Sequence, residues 1–207
     1  MDQVIPDHRE DSPDKIQAIR HIGVRILHCL AHICEEHGLH YFLAYGTLLG
    51  AIRHQGFIPW DDDVDIMMTE SDFRAFKRHC HKLPSSLKLV RHGNAFWKIM
   101  DRYSIISKDQ RRGVAVDIFI VKETSDERFW FQNVHNSNVV LLEKEALFPF
   151  KKVNFGTENT FPAPADTDTY LKTLYKDYMT PPPPEKRVYP HLGAQLQIGQ
   201  FKGTPLN

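Results

Sequence analysis

The sequence predicts a single α/β domain, with a mixed sheet flanked by helices. Three observations favour this fold class: 207 residues suffice for one domain, 42% of them are hydrophobic, and segments of helical periodicity alternate with short strand-like segments. No internal repeat or clear linker divides the sequence. Residues 1–13 are acidic and interrupted by proline, which predicts a flexible N-terminal arm, and residues 14–207 are expected to form the domain.

The first half of the chain alternates helical and strand-like segments. Apolar residues spaced three and four apart predict an amphipathic helix over 14–37. The aromatic run "LHYFLAYG" predicts a short strand that turns into a short helix at Gly46 and Thr47. "DVDIMM" predicts a second strand, and "SDFRAFKRHCHKL" predicts a helix that Ser71 caps and that ends before Pro84.

The second half is expected to complete the sheet and cover it. "LKLVR", "FWKIMD" and the segment 114–121 read as strands, and a helical stretch is predicted around 126–147. Tyrosines and leucines at helical spacing predict a last helix over 168–179 with a face packed on the sheet. The prolines at 181–184 cannot continue that helix.

Four aspartates crowd the start of the second predicted strand. Side chains alternate along a strand, so Asp61, Asp63 and Asp65 are expected to project to one side. Three neighbouring carboxylates repel one another unless a cation lies among them, and Mg²⁺ or Mn²⁺ takes such oxygen ligands. The pattern predicts a metal site; a solvated acidic turn is the alternative. Asp62 projects the other way, so it is either a solvated or helix-facing acid or a substrate contact.

A further carboxylate, Asp117, lies within the apolar segment "VAVDIFIV". A buried carboxylate needs a partner, and the same metal would provide one. A Gly-Thr turn, a later Asp-x-Asp at a strand and an acid on a neighbouring strand are typical of nucleotidyltransferases. We therefore predict that Asp61, Asp63, Asp65 and Asp117 bind the metal and that the last three are catalytic. Asp117 is favoured for taking the acceptor's proton, because ligated carboxylates are weak bases.

Four residues are candidates for binding the phosphate groups of a donor substrate. Gly46 and Thr47 lie where a helix begins, so their backbone amides can face a phosphate. Arg53 follows on the same helix and can offer a forked guanidinium, with an ion pair to an aspartate as the alternative. Lys98 is a cation among apolar strand residues, and either a donor phosphate or an aspartate would satisfy it.

Three more residues are candidate substrate contacts. Trp60 either packs the loop or stacks on a nucleobase or an organic cation. Lys186 and Arg187 end the stiff segment "PPPPEKR" and either approach the donor or an anionic acceptor or lie in a solvated tail. Histidines 28 and 32 have zinc-like spacing on one helix, with hydrogen-bonded or solvated histidines as the alternative.

Composition narrows the partners and the compartment. Lys plus Arg and Asp plus Glu both total 26, so no overall charge favours nucleic acid. Three cysteines without a CxxC pair fit a reducing compartment, and the cytoplasm is expected. No apolar run reaches the roughly 20 residues needed for a transmembrane helix. If the protein acts at a membrane, we expect it to associate peripherally with the inner face.

The segment "YFLAYGTLLGAIRHQGFIPWDDDVDIMM" resembles the signature of the LicD family, whose relatives include fukutin and fukutin-related protein. The resemblance continues through "FWKIMDR", "VDIF" and "YLKTLYKDYMTPPPPEKR". It implies a nucleotidyltransferase-type fold and supports metal binding by the alternating acids. The sequence departs from the expected pattern at three positions, with Ile120 in place of Pro, Lys122 in place of Asp and Lys176 in place of Gly.

The resemblance also implies an activity. We expect a metal-dependent transferase that moves a phospho-alcohol, with phosphocholine favoured, from a CDP-activated donor such as CDP-choline. The acceptor would be a hydroxyl of a cell-surface glycan such as lipopolysaccharide or teichoic acid, and CMP would be released. Two alternatives stay open: a true nucleotidyltransferase that releases pyrophosphate, and a non-catalytic relative that binds a nucleotide or a glycan.

Overall fold

The computed structural model describes residues 8–93, 96–106, 113–133, 136–189 and 197–198. The described helices are α1 (Lys15–His37), α2 (Tyr45–His54), α3 (Glu70–His79), α4 (Lys144–Leu147) and α5 (Thr167–Tyr175). The described strands are β1 (Phe42–Leu43), β2 (Val64–Thr69), β3 (Leu87–His92), β4 (Phe96–Asp101), β5 (Ser104–Ile105), β6 (Ala115–Glu123), β7 (Phe129–Gln132), β8 (Val139–Leu142), β9 (Lys151–Phe155), β10 (Asn159–Ala163) and β11 (Gln197–Ile198). Short 3₁₀ helices span Cys80–Lys82 and Pro184–Lys186.

A mixed sheet forms the centre of the molecule. Its strands lie in the order β1, β2, β6, β4, β3; β2 and β6 are parallel, and the other neighbours in this row are antiparallel. The last residues of β6 pair with β7, which in turn pairs with β8. Two small antiparallel pairs, the hairpin of β9 with β10 and the distant strands β5 and β11, complete the described strands. The predicted single α/β domain with a mixed sheet flanked by helices is confirmed.

Helices cover both faces of this sheet. The side chain of Val64 meets Gly23 of α1 so closely that an added methyl group there would lie 3.1 Å from it. Three residues further along β2, the side chain of Met67 accepts a hydrogen bond from the Tyr170 hydroxyl of α5. Because successive strand residues point to opposite faces, α1 and α5 lie on opposite sides of β2. The α1 helix begins where the Asp14 carboxylate accepts the Gln17 N–H, and Gly38 ends it with a left-handed φ of 61°.

The helix predicted over 126–147 is wrong. The segment forms β7, β8 and only the short helix α4. Burial alternates along both strands: Phe129 and Phe131 are buried while Trp130 is partly exposed, and Val140 and Leu142 are buried while Val139 is exposed. This period of two, with aromatic and β-branched residues, is the pattern of a strand.

Two helix ends also differ from the predictions. The hydroxyl of Thr69, the last residue of β2, accepts the Asp72 N–H and caps α3, so the predicted cap at Ser71 is wrong. The strand therefore leads into the helix without an intervening loop. The α5 helix ends at Tyr175, earlier than the predicted residue 179, because Lys176 adopts a positive φ of 56°.

The predicted N-terminal arm is only partly described, since residues 1–7 lie outside the described ranges. Within it, Arg9 is 4% exposed, and its guanidinium Nη2 lies 2.6 Å from Asp101 Oδ1 on β4. Arg9 also donates to the Tyr103 carbonyl oxygen. These contacts join Arg9 to the end of β4, and the flexibility of the arm stays a prediction.

Candidate active site

The sheet places three predicted functional residues in one row. Asp65 of β2 and Asp117 of β6 are register partners in the parallel pair, and Lys98 of β4 is the register partner of Asp117 on the other side. The Lys98 ammonium lies 2.6 and 2.7 Å from the two carboxylate oxygens of Asp117. Of the two partners considered for Lys98, a donor phosphate and an aspartate, the aspartate is the one observed.

The other acids lie in the segment that leads into β2. Asp61 and Asp63 are half-buried, and a side-chain hydrogen bond joins them. We call Asp61, Asp63, Asp65 and Asp117 the carboxylate cluster. Asp62 is only 4% exposed, and its N–H donates to the Asp61 carboxylate at 3.2 Å. The solvated alternative for Asp62 is therefore wrong.

Crowding and burial disfavour negative charge on this cluster. Burial raises the pKa of Asp61 to about 8, and the charge of Asp63 and its hydrogen bond to Asp61 contribute to the rise. Burial also raises the pKa of Asp65 well above its usual range; the other cluster carboxylates raise it further, and Lys98 acts in the opposite direction. An additional cation here would favour the ionised carboxylates.

The donor atoms fit a hard divalent cation, since the cluster offers carboxylate oxygens. Across the described ranges, however, no three acidic, histidine or cysteine side chains are arranged so that they could hold a metal ion. In this conformation Asp117 binds Lys98 instead. Metal binding by the cluster therefore stays a prediction, and it would require these side chains to rearrange.

The start of α2 supports the cluster from one side. The Thr47 hydroxyl accepts the Asp65 N–H at 2.7 Å. A Cβ atom on Gly46 would lie 2.8 Å from the Asp61 carboxylate, closer than Cβ contacts in proteins allow. Glycine here therefore lets the Asp61 carboxylate approach the start of α2. The positive φ of this turn, 42°, belongs to Tyr45. Phosphate binding by the Gly46 and Thr47 amides stays a prediction.

Arg53, at the other end of α2, contacts the segment after α5. Its guanidinium donates to the Tyr178 carbonyl oxygen at 2.6 Å. Burial lowers the pKa of Arg53, and the positive charge of nearby Arg187 lowers it further, while Tyr175 acts in the opposite direction. The contact with Tyr178, and not the alternative ion pair with an aspartate, is the one observed. Two guanidinium groups thus lie near each other beside the loop that carries the acids.

The proline-rich segment crosses the loop before the carboxylate cluster. The Arg187 guanidinium lies 4.8 Å from the centre of the Trp60 ring, and the Tyr189 hydroxyl donates to the Pro59 carbonyl oxygen at 3.0 Å. Trp60 is partly buried and also makes an edge contact with His54 at 5.8 Å. The packing alternative for Trp60 is therefore observed, and Arg187 contacts the loop. Lys186 is exposed.

Two tyrosines that the sequence did not single out for function border the site. Burial raises the pKa of Tyr175, and the negative charges of the cluster, that of Asp65 foremost, raise it further. The spacing of Tyr175 on α5 predicted packing alone, so no sequence signal pointed to this position. Tyr45 begins α2 with a strained φ and donates from its hydroxyl to the Gln132 carbonyl oxygen at 3.1 Å.

The zinc-like spacing of His28 and His32 on α1 does not correspond to a metal site among the described residues. His28 Nε2 lies 2.7 Å from the Asn159 side-chain oxygen, and its ring contacts Phe161 at 5.2 Å. The hydrogen-bonded alternative is therefore the one observed for His28.

Among the described residues, no helix combines the length and apolar character that crossing a membrane would require.

Comparisons with known proteins agree with this architecture. Residues 38–166 match the family model described as LicD/FKTN/FKRP, nucleotidyltransferase domain. The lipopolysaccharide cholinephosphotransferase LicD of Haemophilus influenzae is 33% identical over 116 residues, which cover 51% of this chain and 44% of that protein. An uncharacterized protein of Rickettsia prowazekii is 27% identical over 154 residues, covering 70% of this chain and 51% of that protein.

The chain also aligns with a solved structure. The lincomycin-bound lincosamide antibiotic adenylyltransferase LnuA aligns with a TM-score of 0.43 at 14% identity, covering 75% of this chain and 97% of that one. The chain spans about half the length of the curated relatives that it matches. Because the family model covers well over half of the sequence, from just after α1 to the start of α5, the chain belongs to the LicD family of nucleotidyltransferase-domain proteins.

Proposed function

We propose that this protein transfers phosphocholine from CDP-choline to a hydroxyl of a cell-surface glycan and releases CMP. Family membership and the name of the Haemophilus influenzae relative, a lipopolysaccharide cholinephosphotransferase, support the phosphocholine transfer and the glycan acceptor. The location proposed for the reaction is the cytoplasmic side of a membrane. The CDP donor, the metal and the released CMP belong to the proposal.

The carboxylate cluster is the observation that carries this proposal. Its members approach one another on neighbouring strands, and burial with mutual repulsion raises the pKa of Asp61 to about 8. We infer that the cluster holds Mg²⁺ or Mn²⁺. When bound, the ion would offset negative charge on the phosphate oxygens of the donor. Such charge stabilisation and positioning account for most of the catalysis of phosphoryl transfer.

Other residues would position the donor and the acceptor. Arg53 and Arg187 lie close enough for their charges to interact, so together they form a candidate site for the donor diphosphate. Trp60 lies beneath Arg187 and would border the donor. Asp117 remains the candidate for taking the acceptor's proton, but both of its oxygens now contact Lys98. That role therefore requires Lys98 to release one of them.

A second candidate function is nucleotidyl transfer with release of pyrophosphate. The nucleotidyltransferase description of the matching family model favours it. The two reactions break different phosphate bonds, so their products distinguish them. A non-catalytic relative would release neither product but would still bind a nucleotide or a glycan.

The test incubates the protein with CDP-choline, an oligosaccharide acceptor and Mg²⁺ or Mn²⁺, and with CTP in a parallel reaction. We expect CMP from the first reaction and no pyrophosphate from the second. Asp65→Asn should abolish CMP release because a neutral amide cannot balance the charge of the ion. Glu145→Gln, a change at an exposed acid on α4, is the matched control. Pyrophosphate from CTP without CMP from CDP-choline would favour the alternative.

A further inference from the structure

A large cavity opens beside the carboxylate cluster, where the pairing of β6 changes from β4 to β7. Its volume is about 690 Å³, within the usual range for sites that bind small molecules. The first residues of β4, Phe96 and Trp97, line it together with Phe119 of β6 and Trp130 of β7. The start of α3 contributes to the same wall through Glu70 and Phe73. None of the residues predicted from the sequence as site residues lines this cavity.

Positive charge predominates around the cavity. Four cationic residues line it, namely Arg74, Lys77, Arg91 and Lys122, against the single described acid Glu70. Glu70 lies 3.5 Å from Arg74, so that pair is locally neutral. The chain as a whole has no net charge. The cations are therefore concentrated locally, and such a concentration attracts an anion.

Two of these cations rest on aromatic rings of the cavity. The Lys77 ammonium lies 4.7 Å from the centre of the Trp97 ring, and the Lys122 ammonium lies 5.1 Å from that of Trp130. These contacts orient the long side chains and leave the ammonium groups able to bind an anion as well. Hydrogen-bonding side chains such as Gln132 and Ser137 lie nearby. Cations, aromatic faces and hydrogen-bonding groups together suit a sugar that carries a negative charge.

The cavity and the carboxylate cluster share a wall. Phe96 and Phe119 each lie two residues from Lys98 and Asp117 on their strands, so all four side chains project to the same face of the sheet. Two residues of a strand span about 7 Å. The Lys98 ammonium lies 5.0 Å from the centre of the Phe96 ring, which lines the cavity. By the same alternation, Trp97, Lys122 and Trp130 project to the opposite face, so the cavity opens to both faces in the gap between β4 and β7. A saccharide held by these residues would reach the proposed site of transfer by extending past Phe96 and Phe119.

We propose that this cavity binds the acceptor through a phosphate or carboxylate group on its sugar. Lys77 and Lys122 hold the anionic group, and Trp97 and Trp130 border the ring. This inference rests on the proposed function, because it assigns the acceptor side of that same reaction. It names the class of acceptor, an anionic saccharide, and a place for it apart from the arginines proposed for the donor.

Binding is measured first, without donor or metal, so that it does not depend on turnover. The probes are glucose 6-phosphate, trigalacturonic acid and neutral maltotriose, and the readout is tryptophan fluorescence, since two of the three tryptophans line the cavity. We expect saturable binding of at least one charged probe that weakens with added salt. The Lys77→Gln/Lys122→Gln variant should bind it at least about tenfold more weakly, because two charge-assisted contacts are lost.

Lys152→Gln is the matched control, because Lys152 is an exposed lysine on β9 that does not line the cavity. Equal binding of maltotriose, an equal loss in the control, or no saturable binding of either charged probe would overturn the proposal. Vesicles containing phosphatidylglycerol form a further arm. If the double variant loses vesicle binding while neither charged sugar binds, the surface is a membrane contact and the proposal is wrong.

Kinetics then connect the cavity to the reaction. With a charged acceptor, the double variant should show a KM for that acceptor raised about tenfold or more, whereas Lys152→Gln should leave both this KM and the rate of CMP release to water unchanged. Saturable sugar binding without any CMP release would contradict the proposed function and the acceptor role, but not the binding site. CMP release with an acceptor KM unaffected by the double variant would contradict the cavity alone.

Discussion

Asp117 and Asp61, two members of the carboxylate cluster, have neighbours of opposite charge. Asp117 contacts Lys98 with both oxygens, whereas Asp61 shares a hydrogen bond with another acid, Asp63. Removing the charge of Asp117 leaves the largely buried ammonium of Lys98 without this partner, and breaking a desolvated ion pair in this way is destabilising. Removing the charge of Asp61 relieves repulsion. We therefore expect opposite effects on the stability of the metal-free protein.

The first prediction is that, in the presence of a chelator, Asp61→Asn raises the free energy of unfolding and Asp117→Asn lowers it. The folded-state pKa of Asp61, about 8, lies above the ordinary value of 3.8, so the folded state binds more protons between these values. The contribution of Asp61 to stability therefore falls as the pH rises from about 4 to about 8.

Urea unfolding at pH 5, 7 and 9 measures this effect. The gap between Asp61→Asn and the wild type should widen from pH 5 to pH 8 and then level off, because the wild type alone loses this contribution. A gap independent of pH would show that Asp61 is not crowded in the folded state. A stabilised Asp117→Asn variant would show that Lys98 does not need the carboxylate.

Lys176 adopts a backbone conformation that suits glycine better than lysine. Its φ of 56° and ψ of −102° lie where glycine is favoured and other residues are strained. The family resemblance leads us to expect glycine at this position. We predict that Lys176→Gly raises the free energy of unfolding by roughly 1 kcal/mol, at the low end of the range for such strain.

The matched control for this change is Lys172→Gly. Lys172 lies within α5, where glycine is expected to cost about 1 kcal/mol relative to a good helix former. Thermal or urea unfolding of the two variants should shift in opposite directions. Loss of stability in both would mean that the backbone at Lys176 is not strained.

At the scale of elements, α2 depends on two glycines for different reasons. A methyl group on Gly46 would meet the Asp61 carboxylate, which is a side chain that can move. A methyl group on Gly50 would clash with the Gly56 carbonyl oxygen, which belongs to the backbone of the following loop. Gly50 therefore serves the packing of α2, and Gly46 serves the position of one acid.

We predict that Gly46→Ala keeps the fold but weakens Mn²⁺ binding and CMP release at least about tenfold, because Asp61 is displaced. Gly50→Ala should lower the free energy of unfolding by about 1–3 kcal/mol, the usual cost of overpacking. Calorimetric Mn²⁺ titration and urea unfolding separate the two effects. If Gly46→Ala bound Mn²⁺ normally, Asp61 would not belong to the metal site.

Periodicity and order along the chain predicted most of the elements but not all. The alternation in "VAVDIFIV" and "DVDIMM" indicated two strands, and their register brings Asp65 and Asp117 together as the motif suggested. The segment 126–147 was misassigned because two short strands with a loop can resemble a helix over a long window. Burial alternates within each strand of only four residues, which is too short for a period to be read with certainty.

For the whole molecule, contacts between distant parts of the chain are what the sequence does not reveal. The approach of Tyr175 to the carboxylate cluster, and the partner chosen by Arg53, depend on how α5 and the following segment pack. The cavity forms because β4 and β7 pair with different parts of β6. The spacing of residues along the chain carries no information on such placements. The residues that line the cavity are therefore absent from the sequence motif.

The ion pair between Arg9 and Asp101 is another contact of this kind, since it joins residues 92 positions apart. Asp101 is fully buried, and its carboxylate also accepts the Tyr103 N–H at 3.0 Å. Arg9 therefore fixes the beginning of the described chain to the end of β4. Removing either partner alone takes this ion pair away from a charge that lies in the interior.

We predict that Arg9→Ala lowers the free energy of unfolding by roughly 3–5 kcal/mol, the usual cost of breaking a buried pair. Asp101→Asn should lower it as well, and the double variant should lose clearly less than the sum, because each change removes the same interaction. Arg74→Ala, which breaks an exposed pair with Glu70, is the control and should cost about 1 kcal/mol or less. Urea unfolding of the four variants measures the coupling. Additive losses, or an Arg9→Ala effect as small as that of the control, would show that the N-terminal segment is not held to the sheet by this pair.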